Sequence, residues 1–306
     1  MDFAHRAEPP RPACTSRSDV RRRLAVCGVL AVLVTTGVSA APRRIVSVSP
    51  AVTEMLYGIG AFDYVVAVTE YCTYPPQAKR LPKIGGWATP SVEKIVAFQP
   101  DLVAYTDSQA PFLEGPLAKL GIHTVTARGQ TIQDALLAMA ALGKATGNEQ
   151  QATQLIQSVK TALERVRTRA APLPHPPVLC IVDRTPGTLR DLYAAVQGSF
   201  LAELIEIAGG AVVGGASRGG YGRINKEEVL RANPQVVLDL MAQMNAAAHP
   251  ESAWLEMPEL DAVRHGRIHI VHEDFATHNS QRIAETVVLF ARLLHPEVPP
   301  REWEAH

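Results

Sequence analysis

Residues Asn148 to Arg169, NEQQATQLIQSVKTALERVRTR, place apolar side chains at Ala152, Leu155, Ile156, Val159, Leu163 and Val166. The steps of three, one, three, four and three put all six on one face of a helix. Asn148 suits the cap at its start, and Pro172 lies just beyond its end. At about 1.5 Å per residue this helix reaches roughly 33 Å, about the width of a protein lobe. A single rod of that length predicts a bridge between two lobes, and residues 147–172 are assigned to it.

On the N-terminal side of the rod, residues 43–146 alternate strand-like and helix-like segments. Strands are predicted at Ile45–Val48, Val65–Val68, Asp101–Tyr105 and His123–Thr126. Helices are predicted at Val52–Tyr57, Ser91–Phe98, Pro111–Leu120 and Ile132–Leu142, with Gly58, Gly60 and Gly121 as stops. On the other side, the proline-rich run Ala171–Pro177 resets the chain direction, and residues 173–296 repeat the outline. Strands are predicted there at 178–182, 236–239 and 267–271. Helices are predicted at Ser199–Ala208 and Arg282–Leu294, with shorter ones between. Residues 297–306 form a tail. The expected fold class is α/β: two lobes, each with a mainly parallel sheet flanked by helices, joined by one long helix.

One pair of segments makes the repetition explicit. VEKIVAFQPDLV at 92–103 matches KEEVLRANPQVV at 226–237, with a constant offset of 134 between the aligned positions. In both a Glu opens a short helix, two aliphatics follow, and a Pro seven residues after the Glu precedes the next strand. Two lobes of related construction leave a cleft between them, and such clefts are preferred ligand sites.

The 306 residues are 47% hydrophobic and 20% charged, which excludes disorder and a disulfide scaffold. Formal net charge is zero and no Lys/Arg stripe lies beyond the N-terminus, so nucleic acid is not expected as a partner. Arg21, Arg22 and Arg23 precede an apolar run, Leu24–Val38, that ends in Val38-Ser39-Ala40. This pattern predicts a signal peptide over residues 1–40, cleaved near Ala40, and a periplasmic mature chain. The run is too short to span a bilayer. Cys27 lies within the run and not after it, which argues against a lipid anchor. Of the four cysteines, Cys72 and Cys180 fall beyond the leader. They are able to pair in an oxidising compartment, but Cys180 reads as a buried thiol in a strand and Cys72 as part of a polar turn.

The motifs RIVSVSP at 44–50 with Thr53-Glu54, YPPQA at 74–78, EKIV at 93–96 and PDLV at 100–103 resemble the periplasmic vitamin B12-binding receptors of ABC importers. These belong to a wider family of cobalamin-, haem- and siderophore-binding proteins with a helical backbone, and the resemblance runs from about Arg43 to Leu294. It implies that Glu93 and Glu227, one per lobe, dock on arginines of an inner-membrane permease. Their internal equivalence suits a two-point electrostatic register. The plainer role, an acid at a helix N-terminus, fits Glu228 better, because with Asn225 it occupies a capping-box position.

For the cleft, the resemblance implies ligand contacts from Tyr71 and Trp87 in the first lobe and from Asp274 in the second. Tyr193, Tyr221 and His278 stand where those receptors commonly have Phe, Trp and Arg. A corrin ring is broad and largely apolar with amide arms, so flat aromatic walls and a few polar groups suit it. Two cysteines that pair in those receptors are replaced here by Ala208 and an aliphatic stretch near Ala291. The expected function is capture of cobalamin or a related corrinoid, carried as cargo and not as a cofactor, by a monomeric binding protein without catalysis. The bridging helix would limit closure of the lobes.

Other classes remain in view. Haem or a ferric siderophore is the nearest alternative, with Tyr71, Tyr221 or His278 as an axial ligand. His265, His269, His272 and His278 with Glu273 and Asp274 raise a zinc or iron-ion receptor, although no tight ligand pair is present, so no protein-held metal is expected. Nucleophile-elbow, Walker and dinucleotide-binding patterns are absent, which weighs against an enzyme.

Overall fold

The computed structural model describes residues 41–215, 217, 219–240 and 250–304. The leader, its cleavage site and the last two residues of the tail lie outside the described residues.

Four strands form the first sheet: β1 (Ile45–Ser47), β2 (Val65–Val68), β3 (Leu102–Thr106) and β4 (His123–Ala127). They run parallel in the order β2-β1-β3-β4. Ile45, Val46 and Ser47 have no exposed surface, as expected of a central parallel strand covered on both faces. The helices of this lobe are α1 (Pro50–Gly58), α2 (Val92–Ala97), α3 (Ala110–Lys119) and α4 (Ile132–Thr146). Ser49 caps α1 through the amide of Val52, with Pro50 in the first turn. Thr131 and Asp134 form a reciprocal capping box on α4.

The rod is α5 (Glu149–Ala170), 22 residues long. Ala152, Val159, Leu163, Val166 and Ala170 form its buried stripe. That stripe meets α1 and α4 on one side and the second-lobe helices α6 (Phe200–Ile207) and α9 (Ile283–Leu294) on the other. The approach to α4 is close enough to require glycine. A Cβ on Gly143 would lie 2.5 Å from that of Ala152.

The second sheet contains β5 (Pro177–Asp183), β6 (Tyr193–Ala195), β7 (Ala211–Val212), β8 (Tyr221–Arg223), β9 (Val236–Asp239) and β10 (Ile268–Ile270). Its parallel strands follow the order β7-β5-β9-β10, which repeats β2-β1-β3-β4 of the first lobe. β6 lies antiparallel to both β5 and β8 and extends the sheet beyond the repeat. The aliphatic pattern did not predict β6, β7 or β8. Two of them are three-residue strands of Tyr, Ala, Gly and Arg, and the third has two residues. Tyr221 is therefore a strand residue.

The repeat seen in the sequence is also a repeat of conformation. Ser91 and Asn225 cap α2 and α7 (Lys226–Ala232); the four-residue α8 (Asp261–Arg264) comes later in the chain, before β10. Ile95 and Val229 are the buried residues of these two helices. Gln99 and Asn233 leave them with φ of 47° and 37°. All three pairs keep the offset of 134 found in the sequence.

Cys72 and Cys180 are both free and buried. Cys72 lies in a turn, as expected, but is enclosed there. The hydroxyls of Thr53 and Thr69 lie 3.2 and 3.1 Å from its sulfur, and burial pushes its thiol above the usual range. Ala208 and Ala291 are fully buried on the mutually packed α6 and α9.

At the carboxyl ends of β5 and β9 a wholly buried ion pair ties the second lobe together. Arg184 Nε donates to Asp239 Oδ2 at 2.9 Å, and neither side chain is exposed. The other guanidinium nitrogens donate to the carbonyls of Thr188 and Pro250, each at 3.0 Å. Trp254 Nε1 donates to the same carboxylate oxygen at 3.0 Å.

Candidate functional site

In open α/β sheets the loops beyond the carboxyl ends of the strands form the ligand crevice, at the point where strand order reverses. Here those points lie between β1 and β3 and between β5 and β9. Tyr71 and Trp87 fall on the segment after β2, Tyr193 pairs with Asp183 at the carboxyl end of β5, Tyr221 lies further in, level with Cys180, and Asp274 and His278 follow β10.

In the first lobe Tyr71 follows the end of β2. The amide of Glu70 donates to Gly85 O at 3.1 Å, which draws this turn against the Gly85–Gly86 loop. A side-chain carbon on Gly86 would lie 3.9 Å from Tyr71 Cε2, so the loop that leads into Trp87 packs beside the tyrosine. Buried Gln109 fixes that loop by donating from Nε2 to Val48 O and to Trp87 O, both at 2.8 Å. The rings themselves remain open to solvent, Tyr71 at 61% and Trp87 at 41%.

In the second lobe Tyr193 and Tyr221 lie on β6 and β8. Tyr193 pairs with Arg223, which makes Tyr221 its diagonal neighbour on the same sheet face. Their rings stack at 6.4 Å between centroids with 16° between planes. Tyr193 is the outer ring, 38% exposed. Tyr221 is the inner one, and burial, then the Cys180 thiol and Tyr193, push its phenol well above the usual range. Among the described residues no ring contact joins the two aromatic pairs.

Asp274 and His278 tie the second lobe to the first. Thr73 Oγ1 donates to Asp274 Oδ2 at 2.7 Å. Burial pushes the Asp274 carboxyl up, but the Thr73 hydroxyl, His278 and Arg282 outweigh it and hold the group below the usual carboxylate range. His278 Nδ1 donates to Glu54 Oε1 at 2.9 Å. Glu54, on α1, is 1% exposed. It also accepts from Ser280 Oγ and from Arg282 Nη1, the latter at 3.4 Å. Its backbone carbonyl takes Gln281 Nε2 at 2.8 Å. Arg282 lies between the rings of Tyr74 and Phe275, 4.4 and 4.3 Å from their centroids, and forks onto Glu285.

A second set of ties lies at the end of β4. Gln130 Nε2 donates to Gly198 O and Gly219 O at 2.7 and 2.6 Å. The amide of Phe200 donates to Gln130 O at 2.8 Å, and that of Ile132 to Glu203 Oε2 at 2.7 Å. Gly220 has φ +72°, and a Cβ there would meet Gln130 Nε2 at 2.3 Å. The chain therefore enters β8 and Tyr221 through a turn that accommodates only glycine.

Sequence reading did not assign Glu54, Thr73, Gln109, Gln130 or Arg282 to the site. One signal was present: an acid inside the apolar turn Val52–Leu56 demands a buried partner. The partners are 224 to 228 residues away along the chain and carry no local pattern.

Glu93 and Glu227 are the second residues of α2 and α7, and both are exposed. Ser91 Oγ donates to Glu93 Oε2 at 2.9 Å. Its own backbone amide and that hydroxyl hold the Glu93 carboxyl below the usual range. Glu228 forms the capping box with Asn225. Among the described residues no three His, Cys, Asp or Glu side chains gather as a metal-ligand set. An open groove of about 1050 Å³ runs along α4 and α5 past Leu136, Lys160, Glu164, Arg165 and Arg167. It has no aromatic wall and borders none of the residues singled out for the ligand.

A family model described as periplasmic binding protein matches residues 45–274. A vitamin B12-binding protein of Vibrio cholerae is 27% identical over 87% of this chain and 94% of its own. An uncharacterized ABC transporter substrate-binding lipoprotein of Bacillus subtilis, YvrC, is 27% identical over 84% and 81%. The crystal structure of the periplasmic vitamin B12-binding protein BtuF of V. cholerae superposes with TM-score 0.72 at 25% identity, covering 84% of this chain and 98% of that one. A periplasmic heme-binding protein from Pseudomonas aeruginosa has the same fold, with TM-score 0.74 at 20% identity over 84% and 94%. The matched span takes in both sheets and the rod between them, and the relatives serve as substrate-binding proteins of ABC transporters and not as enzymes. The chain belongs to the periplasmic binding protein family, as an extracytoplasmic solute-binding protein.

Proposed function

We propose that this protein, exported to the periplasm by cleavage near Ala40, captures cobalamin or a related corrinoid between its lobes and delivers it as a monomer to an inner-membrane ABC permease. The observation that carries the proposal is the pair of aromatic walls. Tyr71 and Trp87 stand open on the segment beyond β2, and Tyr193, at the carboxyl end of β5, stacks on Tyr221 behind it. A broad, mostly apolar macrocycle buries both of its faces against such rings, while Asp274 offers its amide arms an acceptor. Relatives named as vitamin B12-binding proteins match nearly the whole chain and support the same ligand. The ties through Glu54, Asp274 and Gln130 favour small lobe movements. Haem is the second reading, supported by the shared fold of heme-binding proteins. The raised, half-buried phenol of Tyr221 disfavours that residue as a phenolate ligand to ferric iron.

Calorimetric titration of residues 41–306 with cyanocobalamin, cobinamide and haemin tests the proposal. One corrinoid is expected to bind per chain, and Trp87→Ala to cost about 2 kcal/mol, roughly a 30-fold rise in Kd. Tight haemin binding that cyanocobalamin does not displace would overturn it.

A further inference from the structure

We propose that Phe112 in the first lobe, with Leu230 and Leu255 in the second, forms the apolar part of the surface by which the ABC permease holds this protein. The inference rests on the permease reading above and extends it from the two acids, Glu93 and Glu227, to the apolar side chains on the neighbouring elements.

A lone exposed apolar side chain needs no partner. These recur at related places. Phe112 is in the first turn of α3, on the crossover from β3 to β4, and is 61% exposed. Leu255 is in the 3₁₀ helix Pro250–Glu256, on the crossover from β9 to β10, and is 68% exposed. β3 and β4 hold the same places in the first sheet as β9 and β10 in the second, so the two crossovers are equivalent parts of the two lobes.

Each crossover lies by the helix that carries the acid. α3 packs on α2, whose second residue is Glu93. In the other lobe Lys226 Nζ donates to Glu256 Oε2 at 2.5 Å, which fastens the residue after Leu255 to the residue before Glu227. Leu230 lies three residues beyond Glu227 on the same face of α7, and it too is exposed. Its counterpart at the offset of 134, Val96, is half-buried, so the second lobe carries the larger patch.

Folding does not use these side chains. None of the three joins the hydrophobic clusters of the described residues, although Leu113, Val229 and Trp254 beside them do. Charges at an interface steer encounter and set register, while apolar groups that become dry on contact supply the hold. A partner that fits the pattern meets both lobes with the same chemistry: a cation opposite each acid and an apolar pocket opposite Phe112 and Leu255. A permease built of two like halves has that form, and a partner seated on one lobe does not.

Surface plasmon resonance of residues 41–306 on nanodiscs, holding an ABC permease that takes up cargo from the wild-type protein, tests the inference. Phe112→Ser and Leu255→Ser are each expected to raise the dissociation rate about 10-fold, at low and high salt alike. Titration with cyanocobalamin, or with haemin where that is the cargo, is expected to match the wild type. Glu93→Ala and Glu227→Ala should instead slow association, an effect that fades in salt. Unchanged dissociation of both serine variants overturns the inference, as does a parallel loss of cargo affinity, which would place the side chains in the cleft. Dimers of residues 41–306 that Leu255→Ser dissolves would give the patch to a second copy and overturn it as well. If only the alanine variants change the kinetics, the inference alone fails; if neither pair does, the permease reading fails with it.

Discussion

Glu93→Ala combined with Glu227→Ala is expected to reduce reconstituted uptake to the level seen without binding protein, with ligand affinity nearly unchanged. The two carboxylates occupy the same position in the two lobes, at the second residue of α2 and of α7. Both are exposed, and Glu93's own backbone amide, with the Ser91 hydroxyl, holds its carboxyl below the usual range. Exposed charges of this kind steer encounter and fix register more than they hold a fold together. Each single variant should therefore weaken transport in a salt-dependent way, and the double variant should remove both points of the register. Among the described residues neither side chain hydrogen-bonds to Tyr71, Trp87, Tyr193 or Tyr221, so titration of the double variant with corrinoid should match the wild type. A parallel loss of affinity would assign these acids to the cleft instead.

Asp239→Ala is expected to destabilise the protein by about 3–5 kcal/mol, a fall in Tm on the order of 10 °C for a chain of this size. Among the described residues, the substitution leaves the buried Arg184 guanidinium with the Thr188 and Pro250 carbonyls as acceptors. It also strips Trp254 Nε1 of its partner. An uncompensated buried charge costs far more than the pair contributed, so Arg184→Met made together with Asp239→Leu should recover most of the loss. Chemical denaturation measures both. If Asp239→Ala costs no more than an exposed ion pair would, the pair is not closed to water as described.

The parts of the fold that were legible in the sequence are those specified by local spacing. The stripe from Ala152 to Val166 gave the rod almost to the residue, because one helix face recurs every three or four positions. The offset of 134 gave the equivalence of the two segments; the shared left-handed backbone of Gln99 and Asn233 is seen only in the structure. Strands β6 and β8 escaped because Tyr-Ala-Ala and Tyr-Gly-Arg have no aliphatic run; they hold by pairing with β5 and with one another. At the site, the aromatic residues were legible through the family resemblance. The polar scaffold was not. Gln109 reaches Val48 across 61 residues, and Asp274 meets Thr73 across 201. Contacts of that separation depend on the packing of the lobes, and no window along the chain contains both partners.

A crystal structure of residues 41–306 soaked to saturation with cyanocobalamin tests the central claim most directly. The corrin ring should lie with one face toward Tyr71 and Trp87 and the other toward Tyr193 and Tyr221, with Asp274 within hydrogen-bond distance of an amide arm. Ring density along the α4–α5 groove, or a cleft left without ligand at saturation, would contradict it.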